Sequence, residues 1–297
     1  MNQIIPKGRL LIIGGAEDKG EEKLLIANHN PKFVEMEILK ELVAVKSRNP
    51  RIEVITTASN EPEKQKRKYE AAFQKVGYKN VGFMNIQTKE EARDEEYSKR
   101  IKRAKTVLFA GGDQFKIATI LGGTMIAEVI KNKYYEDKDF TVAGTSAGAA
   151  VAPEVMIQSG GTYEALFESD LKTGGGLGLM EGCIIDTHFI KRGRFGRLAQ
   201  AIIRNPGQMG IGLGEDTAII IKKGYEVKCL GSGMVVIIDG RDIEHTNINE
   251  VKDNEAIYVD NLRVHLLIKN CKFNIRTYKL EYPKLREKQS TEKIKTD

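Results

Sequence analysis

Short, unbroken apolar runs alternate along the chain with longer amphipathic or charged stretches. Leu10-Leu11-Ile12-Ile13 is the first such run, and 51–57, 81–86, 106–110 and 139–143 repeat its character. A run of this kind without polar alternation predicts a strand buried on both faces. Between the runs lie helical periodicities. Phe33, Met36, Leu39 and Val43 recur at helical spacing within 30–45, and Tyr69, Ala72, Phe73 and Val76 line one side of 63–76. A polar outer helix is predicted over 88–102, with further helices through 117–120 and over 124–131. This alternation predicts an α/β fold: a mostly parallel sheet with helices on both faces. Beyond 224 the pattern changes to short strands at 225–229, 234–238, 256–259 and 264–267, which read as additions at the sheet's end. We expect one domain over 1–283, with a core of 8–240 and a β extension of 241–283. The polar tail 284–297 is expected to be partly disordered.

The most informative break in the pattern follows 139–143. Gly144-Thr145-Ser146-Ala147-Gly148 fits G-x-S-x-G between a predicted strand and a helix of small residues. A serine on such a sharp turn presents its hydroxyl at the top of a sheet, and small neighbours let strand and helix approach closely. A nucleophile is one reading of Ser146, and a structural turn is the other. The strand 106–110 enters Gly111-Gly112-Asp113-Gln114, also at a strand's carboxyl end, where open parallel sheets bind ligands. An N–H from this turn, with that of Ala147, would form a two-donor oxyanion hole. Gln114 would then sit near the substrate, or serve only as a helix N-terminal residue. Gly14-Gly15 ends the first strand without matching a dinucleotide fingerprint, leaving a crevice lining or a plain turn.

In Gly182-Cys183-Ile184-Ile185-Asp186-Thr187-His188, a short strand carries Asp186 and His188 on one face. Of the four histidines, His29, His245 and His265 lie in unremarkable surroundings, so His188 is the candidate general base, against a satisfied buried histidine. Arg192, Arg194 and Arg197 follow at once. They are candidate carboxylate clamps, with a solvated basic face or phosphate binding as alternatives. Glycines at 210, 212 and 214 lead to Glu215 and Asp216, which point to opposite sides if the backbone is extended. One of them could hold His188 in the required tautomer. The glycine-rich 172–179 reads as a loop on the pocket rim.

Composition changes this picture little. The 297 residues carry a formal charge of +6, with lysines and glutamates interleaved throughout. That pattern fits a solvated surface better than nucleic-acid binding. Cys183, Cys229 and Cys271 form neither a disulfide framework nor a metal pattern. No apolar segment is long enough to span a bilayer, so a soluble cytoplasmic protein is expected.

The elbow, Asp186-Thr187-His188-Phe189, Arg192-Gly193-Arg194-Phe195-Gly196-Arg197-Leu198 and Gly214-Glu215-Asp216-Thr217 together resemble cyanophycinase, of the peptidase family that also contains the α-aspartyl dipeptidases. Leu11 to Lys19 and Phe109 to Gln114 fit the same pattern. The resemblance implies a flavodoxin-like core related to class I glutamine amidotransferases, and a homodimer. It also implies a serine exopeptidase that cuts cyanophycin into β-Asp-Arg dipeptides without metal or organic cofactor. By the same pattern Ser146 is the nucleophile, His188 the base and Glu215 its orienting acid. Gly112, Asp113 and Ala147 would surround the oxyanion. Gln114, Thr145, Asp186, Arg192, Arg194 and Arg197 would line the substrate pocket. An aspartyl dipeptidase or other acidic-peptide hydrolase is the nearest alternative, and a non-enzymatic carboxylate-binding protein a more distant one.

Overall fold

The computed structural model describes residues 4–20, 33–44, 48–161, 165–168 and 170–283. The first run becomes strand β1 (Arg9–Ile13), whose four apolar residues are at most 1% exposed. Burying such side chains stabilises by roughly 1.5–3 kcal/mol each, more than the roughly 1–2 kcal/mol per residue needed to fix the backbone. Strands β2 (Ile52–Ile55), β3 (Val81–Met84), β4 (Thr106–Phe109) and β5 (Thr141–Thr145) complete the parallel part of the sheet.

Period two sends alternate residues of these strands to opposite faces. Leu11, Ile13, Val54 and Leu108 pack with Ile38 and Leu39 of α1 (Glu37–Lys40), and with Tyr69, Ala72 and Phe73 of α2 (Pro62–Val76). Leu10, Ile12, Val107, Phe109 and Val142 face the other layer. There they meet α3 (Glu95–Arg103), α4 (Gln114–Leu121), α5 (Met125–Glu136) and the one-turn α6 (Ala147–Ala150). The fold is therefore α/β with helices on both faces.

The sheet is mixed rather than mostly parallel. Five of its nine strands run parallel in the order β1-β5-β4-β2-β3. On the other side of β1 follow β10 (Thr217–Lys222), β11 (Glu226–Gly231), β14 (Lys272–Asn274) and β15 (Leu280–Glu281), each antiparallel to its neighbour. The apolar run of β10 gives no direction by itself. Its connection from 209–216 returns it antiparallel to β1.

A second sheet contains β8 (Cys183–Asp186), β9 (Met209–Leu213), β12 (Val235–Asp239) and β13 (Arg263–Leu267), in the order β13-β12-β9-β8. Met209, Ile211, Val235 and Ile237 face the main core, while Ile184, Val236 and Ile238 pack with α7 (Phe195–Arg204).

Other expectations shift locally. The predicted rim loop at 172–179 contains β7 (Lys172–Gly175), paired with β6 (Val155–Ser159). The stretch 256–259 forms only isolated bridges, Phe167 with Ala256 and Thr246 with Val259. The periodicity at 30–45 yields only α1 among the described residues, and residues 30–32 and 45 lie outside them, as do His29 and the tail 284–297.

Candidate active site

The serine turn sits at the carboxyl end of β5. Ser146 has φ 53° and ψ −111°, a conformation that costs roughly 1–3 kcal/mol for a residue with a side chain. Its N–H donates to Ile13 O at 3.0 Å, while its carbonyl accepts from Ala149 and Ala150 N–H. Tight packing explains the small flanking residues. A Cβ on Gly144 would lie 2.2 Å from Gly148 O, and one on Gly148 would lie 2.3 Å from Phe109 O.

Three elements deliver the partners. His188 follows β8 with φ 48°, and its N–H donates to Gly14 O at 2.8 Å. The imidazole rests on Gly15, where a Cβ would come within 2.4 Å of Nε2. The Gly14-Gly15 turn thus accommodates the histidine. His188 Nε2 lies 3.0 Å from Ser146 Oγ, and Nδ1 lies 2.8 Å from Glu215 Oε1. Lys191 Nζ holds the other Glu215 oxygen at 2.9 Å. Asp216 turns away from the imidazole: its Oδ1 accepts from Asp18 N–H at 3.0 Å and its other oxygen from Ser232 Oγ.

Charge around this chain of hydrogen bonds favours a neutral base and an ionised acid. Burial lowers the His188 pKa below its ordinary value, and Arg192 and Arg194 act in the same direction against Glu215. Burial alone would raise Glu215, but hydrogen bonds and charge from His188 and Lys191 outweigh it and hold the carboxyl below its usual range. Burial also raises Asp216, with Asp18 and Glu17 adding like charge.

A cleft of about 370 Å³ opens beside Ser146 and His188. The N-terminus of α6 leaves the Ala147 N–H without a backbone acceptor among the described residues, and the Gly112 N–H is in the same state. The Asp113 N–H, also expected to face an oxyanion, instead donates to Ala58 O at 2.9 Å, and the Asp113 carboxylate caps α4. Gly112 has φ 145°, and a Cβ there would lie 2.0 Å from Ala58 O.

Gly15, Gly111, Gly112, Thr145, Ser146 and His188 line the cleft, but Gln114, Asp186, Arg192, Arg194 and Arg197 do not. Gln114 Nε2 is fastened to Ile157 O at 3.1 Å and Gln158 O at 2.9 Å. Asp186 is 1% exposed and forms a bidentate pair with the buried Arg197. Arg194 donates to Thr187 O at 2.8 Å and also reaches Asp186. Asp186, Arg194 and Arg197 thus make an internal ion-pair network under the histidine loop. Arg192 is exposed and makes no ion pair among the described residues. The other cleft wall comes from Glu17 and Lys19 after β1, and from Lys64, Gln65, Lys68 and Tyr69 on α2. Glu17 and Lys19 lie in the stretch 11–19 that fits the family pattern, whereas Lys64, Gln65 and Lys68 carry no signal beyond their position after β2. Gln65 Nε2 donates to Gly111 O at 3.0 Å, tying α2 to the glycine turn.

A serine, a histidine and a carboxylate joined in series at the carboxyl edge of an α/β sheet define a serine-hydrolase type of site. The chain belongs to peptidase family S51, which matches residues 10–228, and it is a serine-type hydrolase. It is similar to a cyanophycinase from Synechococcus elongatus, 33% identical over 276 residues covering 93% of this chain and 82% of that protein. A cyanophycinase from Nostoc sp. is 33% identical over 270 residues, 91% of this chain and 86% of that protein. In fold it resembles a crystallised peptidase from an acI-B1 Actinobacterium. The TM-score is 0.63 at 20% identity, covering 92% of this chain and 98% of that one. Among the described residues no helix is long and apolar enough to cross a membrane.

Proposed function

We propose that this chain is a serine exopeptidase that hydrolyses cyanophycin, multi-L-arginyl-poly-L-aspartate, to β-Asp-Arg dipeptides through an acyl-enzyme. The observation that carries the reading is the continuous Ser146–His188–Glu215 chain, with contacts of 3.0 and 2.8 Å, opening on one cleft. In this mechanism His188 Nε2 accepts the Ser146 proton as Oγ attacks the scissile carbonyl. The Gly112 and Ala147 N–H groups receive the developing oxyanion. His188 then gives its proton to the leaving amine, and a water deprotonated by the same nitrogen releases the acyl group. Glu215 keeps Nδ1 protonated and stabilises the imidazolium. Thr145 lines the cleft beside the nucleophile, and Arg192 is the arginine left to meet a substrate carboxylate at the rim.

Four of the five parallel strands, β3-β2-β4-β5, follow the 2-1-3-4 part of the doubly wound flavodoxin order and support a flavodoxin-like core related to the class I amidotransferases, with β1 added beyond β5. The homodimer belongs to the same proposal, supported by the exposed Val264 and Leu266 of the open strand β13 and Ile268 just past its end. Three buried thiols without a disulfide suit a cytoplasmic setting.

Incubation of the purified protein with cyanophycin, without added metal, is expected to release β-Asp-Arg dipeptides detectable by mass spectrometry. Ser146→Ala should release none. Intact polymer after incubation with folded wild-type protein overturns the proposal. Rapid cleavage of short Asp-X peptides alongside untouched polymer replaces it with the aspartyl dipeptidase reading.

A further inference from the structure

The cations that face the catalytic cleft are not those that the sequence singled out. Lys19 stands at its wall with Lys64 and Lys68, whereas Arg194 and Arg197 are engaged with Asp186. Lys19 is also held in place. Its Nζ lies 2.9 Å from Glu17 Oε1 and 5.0 Å from the centre of the Tyr69 ring.

Glu17 is 4% exposed, and polar hydrogens surround its carboxylate. Tyr69 Oη donates to Oε1 at 2.7 Å and Thr145 Oγ1 donates to Oε2 at 2.7 Å. Burial alone would raise its pKa, but the Lys19 charge and the three hydrogen bonds outweigh burial and lower it. One ionised carboxylate therefore binds both the cleft's ammonium and the residue immediately before the nucleophile. An ammonium has three donors. Glu17 is the only acid paired with Lys19 among the described residues, and the 19% exposed Lys19 side chain opens onto the cleft shared with Ser146 and His188.

We propose that Lys19, positioned by Glu17, binds a substrate carboxylate beside the scissile amide and sets the preference for acidic substrates. The inference rests on the peptidase reading above. Glu17 is then a positioning residue, acting through Lys19 and Thr145. In an arginine-bearing aspartyl chain two kinds of carboxylate qualify, that of the arginyl branch and that of the chain end.

The test uses a short block of the polymer in three forms: all carboxylates free, the branch carboxylates amidated, or the chain-end carboxylate amidated. Lys19→Met should lower kcat/KM on the free form by about 10- to 100-fold, mainly through KM, as expected for loss of one hydrogen bond to a charged group. On the form lacking the recognised carboxylate the variant's deficit should vanish, and which form this is identifies the source. Lys19→Arg should recover part of the loss. Glu17→Gln/Lys19→Met removes both charges together, so no unpaired carboxylate is buried, and it should reproduce the Lys19→Met pattern.

Equal losses on all three forms overturn the inference while leaving the peptidase reading intact. A wild-type enzyme that cleaves neither these blocks nor the polymer overturns both.

Discussion

Adjacent carboxylates at 215 and 216 have opposite tasks because the backbone turns between them. Glu215 reaches the imidazole, while Asp216, with φ 45°, faces Asp18 and Ser232. Replacing an orienting acid in a serine protease lowers kcat by about 10⁴-fold, which sets the scale expected for Glu215→Gln, with a smaller change in KM. Near-wild-type kcat in steady-state assays would reject that role for Glu215. Asp216→Asn should leave kcat within a few-fold of wild type. It also removes a carboxylate whose pKa folding raises, while keeping an acceptor for the Asp18 N–H. A group raised on folding makes its stabilising contribution below the unfolded pKa and loses it as pH rises through the folded value. The variant should therefore melt at or above the wild-type temperature at pH 7. The difference should close as pH falls toward the usual carboxylate range, where Asp216 is protonated. His188, the proposed base, titrates with the opposite sign. Burial and the arginines lower the His188 pKa, so the neutral, proton-accepting form survives to lower pH than in a free histidine. The acid limb of kcat/KM should accordingly fall below about pH 6.5, the ordinary histidine value. Removing a cation by Arg192→Gln should move that limb upward, and a limb that does not move would exclude Arg192 from the histidine's field.

The elements that build the site had signatures of unequal clarity. The strand at 139–143, the elbow and the helix after it were legible because small residues are forced there: Gly144 and Gly148 meet backbone atoms of neighbouring elements. Gly148→Ala, with its new Cβ 2.3 Å from Phe109 O, should cost about 1–3 kcal/mol by overpacking, measured as a shift in the denaturation midpoint. The direction of β10 was not legible, since Thr217-Ala218-Ile219-Ile220-Ile221 is equally apolar in either orientation. The family resemblance implies a pocket role for Asp186 and Arg197, but acid and arginine spacing looks the same whether the groups face a ligand or each other. Only their burial and bidentate pairing distinguish the two. Lys64, Gln65 and Lys68 were hidden for a related reason. On an amphipathic helix, polar residues flanking the inner stripe read as solvated surface, and α2 turns that flank toward the cleft. The two glycines after β1 were ambiguous until the histidine from β8 was seen to rest on the second.

At the scale of the molecule, the active-site edge and the outer edge of the second sheet make different demands. The loops after β1, β2, β4 and β5 close over one cleft, whereas β13 leaves a strand edge unpaired among the described residues. His265 and Leu267 turn toward the interior across from Ile237 and Val235, and Leu267 is 1% exposed. The alternate residues Val264, Leu266 and Ile268 are 41%, 63% and 57% exposed. An exposed apolar edge strand offers both unpaired backbone groups and a surface that gains by leaving water, so it needs a cover or attracts unwanted pairing. In the proposed homodimer, a second copy presenting the same strand would supply that cover through a twofold contact, the self-complementary arrangement usual for homodimers. Leu266→Lys adds a charge at the middle of the patch without touching the cleft. It should convert the proposed dimer to monomer in light scattering at micromolar concentration while leaving kcat/KM on the substrate unchanged. A wild-type protein that is monomeric, or a variant that remains dimeric, would reject β13 as the contact between copies.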